Sequence, residues 1–318
     1  MKVMVTGGNG FVGRALVERL LNDPSALPDG AILTQLTVAD MSGDGLPQDP
    51  RLQIVEGSIA DNEVLDAALA AEPDLVFHLA SIPGGAAERN YELGLQVNLE
   101  ATLSLLEKLR LQGKNPRLVF TSTIAVYGSP MPALVDDSSA MCPQLSYGAH
   151  KLIGEVLIKD YSRRGWLDGR IVRLPGIVAR PPQPSGLLSA FMSDVFWKLA
   201  AGEPFVCPVS EQAVAWWMSV GCCVDNLLHA VYLAQEQVAL RRDYTLPVLR
   251  LTMAELIDGL AQRYGEDRRT LVEFQPNAEL EAGFGAYPPL DASAAAAIGF
   301  RHDGSIDALI RNAMQLAQ

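Results

Sequence analysis

The chain has 318 residues, of which 49% are hydrophobic and 19% charged, and its formal net charge is −12. This composition is typical of one large globular domain or of two coupled domains. The negative charge argues against nucleic acid as a partner, because a phosphate backbone is bound by a basic surface. No apolar run approaches the ~18 residues that cross a bilayer. The first residues also lack the pattern of a signal peptide. We therefore expect a cytoplasmic protein without a membrane partner.

The four cysteines give no sign of a disulfide framework or of a metal site. Cys142, Cys207, Cys222 and Cys223 show neither CxxC spacing nor a nearby histidine pair. Reduced, buried thiols are the better interpretation, and no metal is expected.

Strand-like and helix-like segments alternate through the first half of the chain. The predicted strands cover residues 2–6, 35–39, 52–55, 75–79, 118–122 and 169–174. The predicted helices cover residues 11–21, 62–71, 91–111 and 147–164. Strands separated by helices predict a parallel sheet covered on both faces. The fold class is therefore predicted to be α/β, with a Rossmann-type doubly wound sheet.

The alternation ends at Pro175. Pro181, Pro182 and Pro184 predict a loop, and the later segments look irregular. We expect residues 1–175 to form the sheet domain. Residues 176–318 are expected to form mainly a smaller C-terminal lobe, with some segments free to return to the first domain.

The segment TGGNGFVG at residues 6–13 lies between the first predicted strand and the first predicted helix. In that position Gly7 allows a tight turn, Gly10 lets a pyrophosphate approach the backbone, and Gly13 lets the helix pack on the strand. A helix N-terminus also attracts an anion. Glycines mark plain turns too, and the spacing G-x-x-G-x-x-G is not the commonest one. The strand–turn–helix setting nevertheless favours dinucleotide binding.

Asp40 follows the second predicted strand, where a carboxylate accepts hydrogen bonds from the adenosine ribose. The same carboxylate would repel a 2′-phosphate, so NAD is predicted rather than NADP. The insert at residues 23–31 explains why Asp40 lies further than usual from Gly13. The alternative is that Asp40 only opens the turn DMSGDG.

Tyr147 and Lys151 are four positions apart in a predicted helix, so both project from one face. A free phenol has a pKa of ~10, too high for a base at neutral pH, and a neighbouring cation lowers it. Thr123 ends a predicted strand, at the sheet edge where open α/β folds bind ligands. The alternative is an ordinary solvated helix face. His78 and His150 are predicted to have no catalytic role.

These segments, with HLAS at residues 78–81, VN at 97–98, TSTIAVYG at 121–128 and YGAHK at 147–151, resemble the extended short-chain dehydrogenase/reductases over nearly the whole chain. The resemblance implies NAD as cofactor and a catalytic set of Thr123, Tyr147 and Lys151, with threonine where serine is usual. It assigns residues 1–175 to NAD binding and residues 176–318 mainly to substrate binding. The cofactor contacts that it implies are Gly7, Asn9, Gly10, Phe11, Val12, Gly13, Asp40, Ile59, Leu79, Ala80, Ser81, Asn98, Tyr147, Lys151, Pro175, Gly176 and Ile177.

The family includes epimerases, dehydratases and dehydrogenases that share this catalytic set. Its dehydratases place Asp-Glu directly after the catalytic Ser/Thr, where this chain has Ile124 and Ala125, so dehydration is not expected. The segments RLPGIVARP (173–181) and AWWMS (215–219) resemble a subgroup that oxidises small sugar acids, the D-erythronate dehydrogenases. Trp216 and Trp217 in the second segment are interpreted as core, with a pocket wall as the alternative.

The resemblance therefore implies NAD-dependent oxidation of a secondary alcohol on a D-erythronate-like sugar acid to the 2-oxo acid. The residues predicted to contact this substrate are Ser81, Ser122, Thr123, Tyr147 and Arg180. Arg180 could instead be a loop arginine in a surface ion pair. The alternatives are a nucleotide-sugar epimerase with tightly bound NAD and a non-catalytic NAD-binding sensor. The family also implies a homodimer through the helices at 91–111 and 147–164.

Overall fold

The computed structural model describes residues 1–182 and 187–314, so Pro184 of the predicted loop lies outside the described residues. The chain forms two compact units. The first contains Met1–Val126, Pro143–Arg173 and Val224–Tyr244. The second contains Tyr127–Cys142, Leu174–Cys223 and the chain from Thr245 onward. Segments from before and after residue 175 thus occur in both units.

The elements of the described residues are numbered here in chain order. The strands are β1 (Lys2–Thr6), β2 (Gln35–Asp40), β3 (Leu52–Glu56), β4 (Leu75–His78), β5 (Arg117–Thr123), β6 (Asp168–Leu174), β7 (Gly176–Val178), β8 (Phe205–Cys207), β9 (Val214–Ser219), β10 (Asp243–Thr245), β11 (Leu249–Thr252) and β12 (Val272–Phe274). The helices are α1 (Phe11–Asn22), α2 (Asn62–Leu69), α3 (Gly84–Arg89), α4 (Tyr91–Leu95), α5 (Ala101–Gln112), α6 (Ser146–Arg163), α7 (Phe191–Ala201), α8 (Val220–Tyr232), α9 (Gln235–Val238), α10 (Met253–Tyr264), α11 (Ala278–Phe284), α12 (Ser293–Ala297) and α13 (Ile306–Met314).

The large sheet is seven-stranded, in the order β10-β6-β5-β4-β1-β2-β3. β1 pairs in parallel with both β2 and β4, so the chain starts in the middle of the sheet and winds outward in both directions. This confirms the predicted Rossmann-type doubly wound fold. In such sheets ligands bind beyond the carboxyl ends of the strands, where the winding direction changes. Here that point lies between β1 and β4.

The central strands of this sheet, β1 and β4, are apolar because helices cover both of its faces. Val3, Met4 and Val5 of β1 are at most 1% exposed. Leu65 of α2 and Leu105 of α5 pack with Met4 in one hydrophobic cluster. The packing of these helices fixes the ends of β1, β4 and β5, which carry the residues of the candidate site.

The second unit contains a three-stranded sheet in the order β11-β9-β7 and a two-stranded pairing of β12 with β8. Trp217 of β9 packs in a cluster with Phe196 of α7, Leu256 of α10 and Leu309 of α13. Trp216 is fully buried as well, and its indole N–H donates to the carbonyl of Pro288 at 2.8 Å. Both tryptophans are therefore core residues, as interpreted from the sequence.

The predicted helix at 91–111 is present as a continuous helical stretch in which a π-helical turn at Gln96–Glu100 joins α4 and α5. Two expectations about local structure were wrong. The chain after Pro175 is not irregular, since it forms α7, α8, α10 and α13. Cys142 is exposed rather than buried, while the other three cysteines are buried.

No helix among the described residues is long and apolar enough to span a membrane. Within the same residues, no group of three or more His, Cys, Asp or Glu side chains is placed to hold a metal ion.

Candidate active site

The glycine loop between β1 and α1 leaves no room for side chains at two positions. Gly7 has φ +71°, and a Cβ added there would lie 2.7 Å from the backbone nitrogen of Ala80. A Cβ added at Gly13 would lie 2.1 Å from the carbonyl oxygen of Gly7. Gly10 forms the N-cap of α1, and among the described residues no side chain caps this helix end. The loop and the helix end therefore fit a pyrophosphate, which backbone N–H groups bind.

Asp40 is held against this loop. Its Oδ2 accepts a hydrogen bond from the backbone N–H of Asn9 at 2.8 Å, and its Oδ1 accepts one from Met41 at 2.7 Å. Each carboxylate oxygen retains a lone pair for a ribose hydroxyl. The Asn9 side-chain oxygen is buried and has no hydrogen-bond partner in the part of the chain that the structure describes. An unsatisfied buried acceptor beside the loop is consistent with a ligand there. Asp40 thus orders its turn and still fits its predicted role.

His78 at the end of β4 organises the next loop. Its Nδ1 lies 2.7 Å from the hydroxyl of Thr6, and its Nε2 lies 2.9 Å from the hydroxyl of Thr102. Burial, with a smaller contribution from the positive charge of Lys151, lowers the pKa of His78 to about 3. The imidazole is therefore neutral and structural. Thr6 also accepts a hydrogen bond from the N–H of Ala80, which positions residues 79–81.

Asn98 lies buried in the π-helical turn, and both the oxygen and the nitrogen of its side-chain amide bind the backbone of Ile82. Its Oδ1 accepts from the Ile82 N–H at 2.7 Å, and its Nδ2 donates to the Ile82 carbonyl at 3.0 Å. Asn98 therefore acts on the loop that follows β4, and we expect its effect on the cofactor to be indirect. Ile59 packs in the core with Met4 and Ala39, which leaves its backbone rather than its side chain for a cofactor contact.

The first unit brings together the predicted catalytic residues. Thr123 ends β5, Tyr147 lies in the first turn of α6, and Lys151 follows one helical turn later. The Thr123 hydroxyl accepts a hydrogen bond from the N–H of Ala125 at 3.1 Å, which fixes the oxygen. Burial raises the pKa of Tyr147, and hydrogen bonding from Thr123 and from Ser81 opposes this shift. The expectation that Lys151 lowers the pKa of Tyr147 is not met in this structure, because desolvation of the phenol is the larger effect.

Lys151 is only 2% exposed, and its ammonium nitrogen lies 4.6 Å from the centre of the Phe120 ring. Burial lowers the pKa of Lys151 to about 7, and the negative charge of Glu155 opposes this shift. The group is therefore close to losing its proton at neutral pH, whereas an exposed lysine is fully charged there.

Ser122 does not fit its predicted substrate contact. The residue is buried, and its hydroxyl donates to the carboxylate of Glu155. Arg173 donates to both oxygens of the same carboxylate, at 2.9 and 2.6 Å. The Ser122 proton is thus committed within the protein. Sequence reasoning missed Glu155 and Arg173, although a glutamate four residues after the lysine lies on the same helix face.

The predicted residues from Pro175 to Arg180 lie in the second unit. Gly176 and Ile177 are in β7, directly after Pro175. The backbone N–H of Arg180 donates to the Ser193 hydroxyl at 3.0 Å, and its carbonyl accepts from the indole of Trp197 at 2.7 Å. Burial lowers the pKa of the Arg180 guanidinium. A fixed backbone and a partly desolvated cation suit anion binding, and the roles of these residues remain predictions.

Comparison with known proteins adds independent evidence. The profile described as "NAD dependent epimerase/dehydratase family" matches residues 3–239. A protein from Cupriavidus necator named D-erythronate dehydrogenase is 38% identical, with 99% of this chain and 98% of that protein covered. A protein of the same name from Haemophilus influenzae is 33% identical, with 98% of each covered.

Among solved structures, a nucleoside-diphosphate-sugar epimerase from Agrobacterium tumefaciens superposes with a TM-score of 0.90 at 32% identity. The alignment covers 100% of this chain and 95% of that one. The match of the family profile includes the glycine loop, Asp40, Thr123, Tyr147 and Lys151. The chain belongs to the NAD-dependent epimerase/dehydratase family, that is, to the extended short-chain dehydrogenase/reductases, and NAD is its cofactor.

Proposed function

We propose that this protein is an NAD-dependent dehydrogenase that oxidises C2 of a small sugar acid, D-erythronate or a close analogue, to the 2-oxo acid. The observation that carries the proposal is the 38% identity, over 99% of this chain, to a protein named D-erythronate dehydrogenase. The proposal is also supported by the positions of the predicted catalytic residues: Thr123 ends β5, at the sheet edge where such folds bind ligands, and Tyr147 and Lys151 are one turn apart in α6.

In the proposed reaction the C2–H and O–H bonds of the alcohol break and a C=O bond forms. Bound NAD⁺ supplies the acceptor for the hydride. Tyr147, as phenolate, takes the hydroxyl proton on its Oη, and Thr123 holds the same hydroxyl oxygen through its side chain. Burial raises the pKa of Tyr147, so formation of the phenolate at neutral pH requires a positive charge beside it. We assign this charge to the oxidised nicotinamide ring of the bound cofactor together with the charged form of Lys151, which can also donate to the nicotinamide ribose.

The substrate carboxylate is assigned to Arg180. A guanidinium binds a carboxylate with two parallel hydrogen bonds. The pKa of Arg180 is lowered by burial, and partial desolvation strengthens its attraction for an anion. The Ser122 hydroxyl is no longer part of this assignment, since it donates to Glu155.

A second candidate function is epimerisation of a nucleotide sugar. It is favoured by the solved structure named a nucleoside-diphosphate-sugar epimerase, which is 32% identical to this chain. The same catalytic set serves both reactions. An epimerase returns the hydride to the substrate, so it turns over without accumulating NADH.

The proposal is tested by following NADH absorbance while D-erythronate, related sugar acids and nucleotide sugars are supplied with NAD⁺. Steady NADH formation with D-erythronate is expected. Tyr147→Phe is the control: it should lose a factor of ~10²–10⁴ in rate, as expected for removal of one acid–base group, and still bind NAD. Conversion of a nucleotide sugar without net NADH, together with no turnover of D-erythronate, would instead identify an epimerase.

We also propose that the protein is a cytoplasmic homodimer. Several large apolar side chains are exposed on α4, α5 and α6, the helices that the family uses for a dimer interface. They include Tyr91 at 54%, Leu111 at 72% and Val156 at 58% exposure. Covering apolar side chains of this kind stabilises an interface. Light scattering should give twice the mass of the chain, and a monomer at micromolar concentration would contradict the proposal.

A further inference from the structure

A buried chain of charged groups extends from α6 behind the catalytic residues. Glu155 of α6 has no solvent exposure. It accepts hydrogen bonds from Ser122 at the end of β5 and from Arg173 of β6. Arg173 also contacts Asp243 of β10 at 2.5 Å, and Asp243 pairs with Lys159 at 2.7 Å. Glu155, Arg173 and Asp243 are buried, Lys159 lies at the more exposed end of the chain, and the four charges cancel.

Two features connect Glu155 to the catalytic residues. Lys151 and Glu155 are four positions apart in α6, so their side chains leave the same face of the helix. Ser122, which donates to Glu155, directly precedes Thr123 in β5. In the described residues, by contrast, the Lys151 ammonium makes no hydrogen bond or ion pair, and it rests on the Phe120 ring.

We propose that Glu155 is a positioning residue of the active site: it provides the counter-charge of the buried Lys151 ammonium and anchors the end of β5 through Ser122. A fully buried cation without a paired anion is costly, and the carboxylate one turn away offsets part of that cost. The same carboxylate restrains Ser122 and hence the neighbouring Thr123. The inference rests on the catalytic roles proposed above and adds a residue that acts through them.

The other titratable groups around Lys151 do not replace Glu155. His78 of β4 is neutral, because its pKa is about 3. Tyr147 is protonated at neutral pH, since burial raises its pKa. Two other glutamates near α6 have partners of their own. Glu88 of α3 accepts from the backbone N–H of Ser146 at the start of α6, and Glu107 of α5 accepts from the hydroxyl of Tyr161 near the end of α6. Glu155 is therefore the anion that α6 presents next to the lysine.

The test is a double-mutant cycle in the NAD-free protein, with Lys151→Met, Glu155→Gln and the double variant, measured by urea unfolding at two pH values. At about pH 6, where Lys151 is charged, the two residues should couple favourably by an amount equivalent to about one pKa unit, or about 1.4 kcal/mol. At about pH 9, where Lys151 has lost its proton, the coupling should disappear. No coupling at the lower pH, or the same coupling at both, would overturn the proposal.

Ser122→Ala is the matched control, because it removes a hydrogen bond to Glu155 and leaves the charge in place. Its coupling with Lys151 should not change with pH. Glu155→Gln leaves Arg173 with a weaker partner and could prevent folding. In that event Glu155→Asp, which keeps the charge but withdraws it by one methylene, replaces it in the cycle. Glu155→Asp should weaken the coupling with Lys151 at the lower pH only. An equal loss of coupling at both pH values would contradict the proposal.

In the holoenzyme, Glu155→Gln should move the alkaline fall of kcat by about one pH unit towards lower pH, because the Lys151 charge is lost earlier. A lower kcat with an unchanged pH profile would show that Glu155 is only structural. If the wild-type protein does not oxidise D-erythronate, the proposed function fails, and the stability cycle still decides the role of Glu155.

Discussion

Replacing Lys151 by methionine should stabilise the NAD-free protein at neutral and acidic pH. The side chain is only 2% exposed, and burial lowers its pKa from 10.5 to about 7. The folded protein therefore binds the lysine proton less tightly than the unfolded chain does. Stability rises with pH wherever the unfolded state binds more protons, so the cost of the charged lysine is full below about pH 7 and is relieved between pH 7 and 10.5. Methionine has a similar shape and carries no such cost.

The size of this effect follows from the two pKa values. Between about pH 6 and pH 9 the free-energy cost of burying the charged lysine falls by about 3 kcal/mol. The pH exceeds the pKa of the folded protein by about two units at the upper end, and each unit corresponds to about 1.4 kcal/mol. The advantage of Lys151→Met over the wild type should shrink by this amount across the interval. Other groups titrate in both proteins, so they cancel in the difference.

Urea unfolding followed by far-UV circular dichroism measures this difference at each pH. Lys159→Met is a suitable control, because Lys159 is 37% exposed and paired with Asp243. Its effect on stability should vary little with pH in this range. If the difference between Lys151→Met and the wild type is also independent of pH, Lys151 has an ordinary pKa, and the reasoning from its burial is wrong.

Three further substitutions test the cofactor and substrate contacts. Gly13→Ala should abolish NAD binding and destabilise the protein, since its Cβ would lie 2.1 Å from a backbone oxygen. Gly283→Ala, in α11 with nothing within 4 Å of the new Cβ, should leave NAD binding unchanged and should not destabilise the protein; calorimetry of NAD binding and thermal melting check both. Asp40→Ala should weaken NAD binding by about 10- to 100-fold, the usual cost of losing a charged hydrogen bond, and leave NADP binding unchanged or stronger; equal losses for the two cofactors would contradict the assignment. Arg180→Ala should raise KM for D-erythronate much more than it lowers kcat, with partial recovery in Arg180→Lys, and an effect confined to kcat would exclude a carboxylate-binding role.

The large sheet could be predicted because its strands are short apolar runs that alternate with segments in which apolar residues recur at helical spacing. Residues 2–6, 35–39 and 118–122 were placed within one or two positions of β1, β2 and β5. The chain after Pro175 was predicted less well, because the prolines at 181, 182 and 184 were interpreted as the start of an irregular region, whereas the helices that follow pack within a separate core. β10, which closes the sheet edge, contains only Asp243–Thr245 and is too short for a pattern to identify.

In the candidate site, too, some features could be predicted from the sequence and others could not. Gly7 and Gly13 were expected from their setting to need the absence of a side chain, and the structure shows the close contacts that require glycine there, while their role in cofactor binding stays a prediction. The role of Ser122 could not be predicted, since its partner Glu155 lies 33 positions further along the chain and in a different element. The pKa of Tyr147 was expected to fall, and burial raises it, because desolvation depends on packing that spacing does not reveal.

The most direct test of the account is the fate of the hydrogen on C2. D-Erythronate carrying deuterium at C2 is incubated with the protein and NAD⁺, and the reduced nicotinamide is analysed by mass spectrometry. In wild-type protein the deuterium should be transferred to the cofactor, and in Tyr147→Phe the rate of this transfer should fall by ~10²–10⁴. Unlabelled NADH would show that another carbon is oxidised, and no NADH at all would contradict the proposed dehydrogenase.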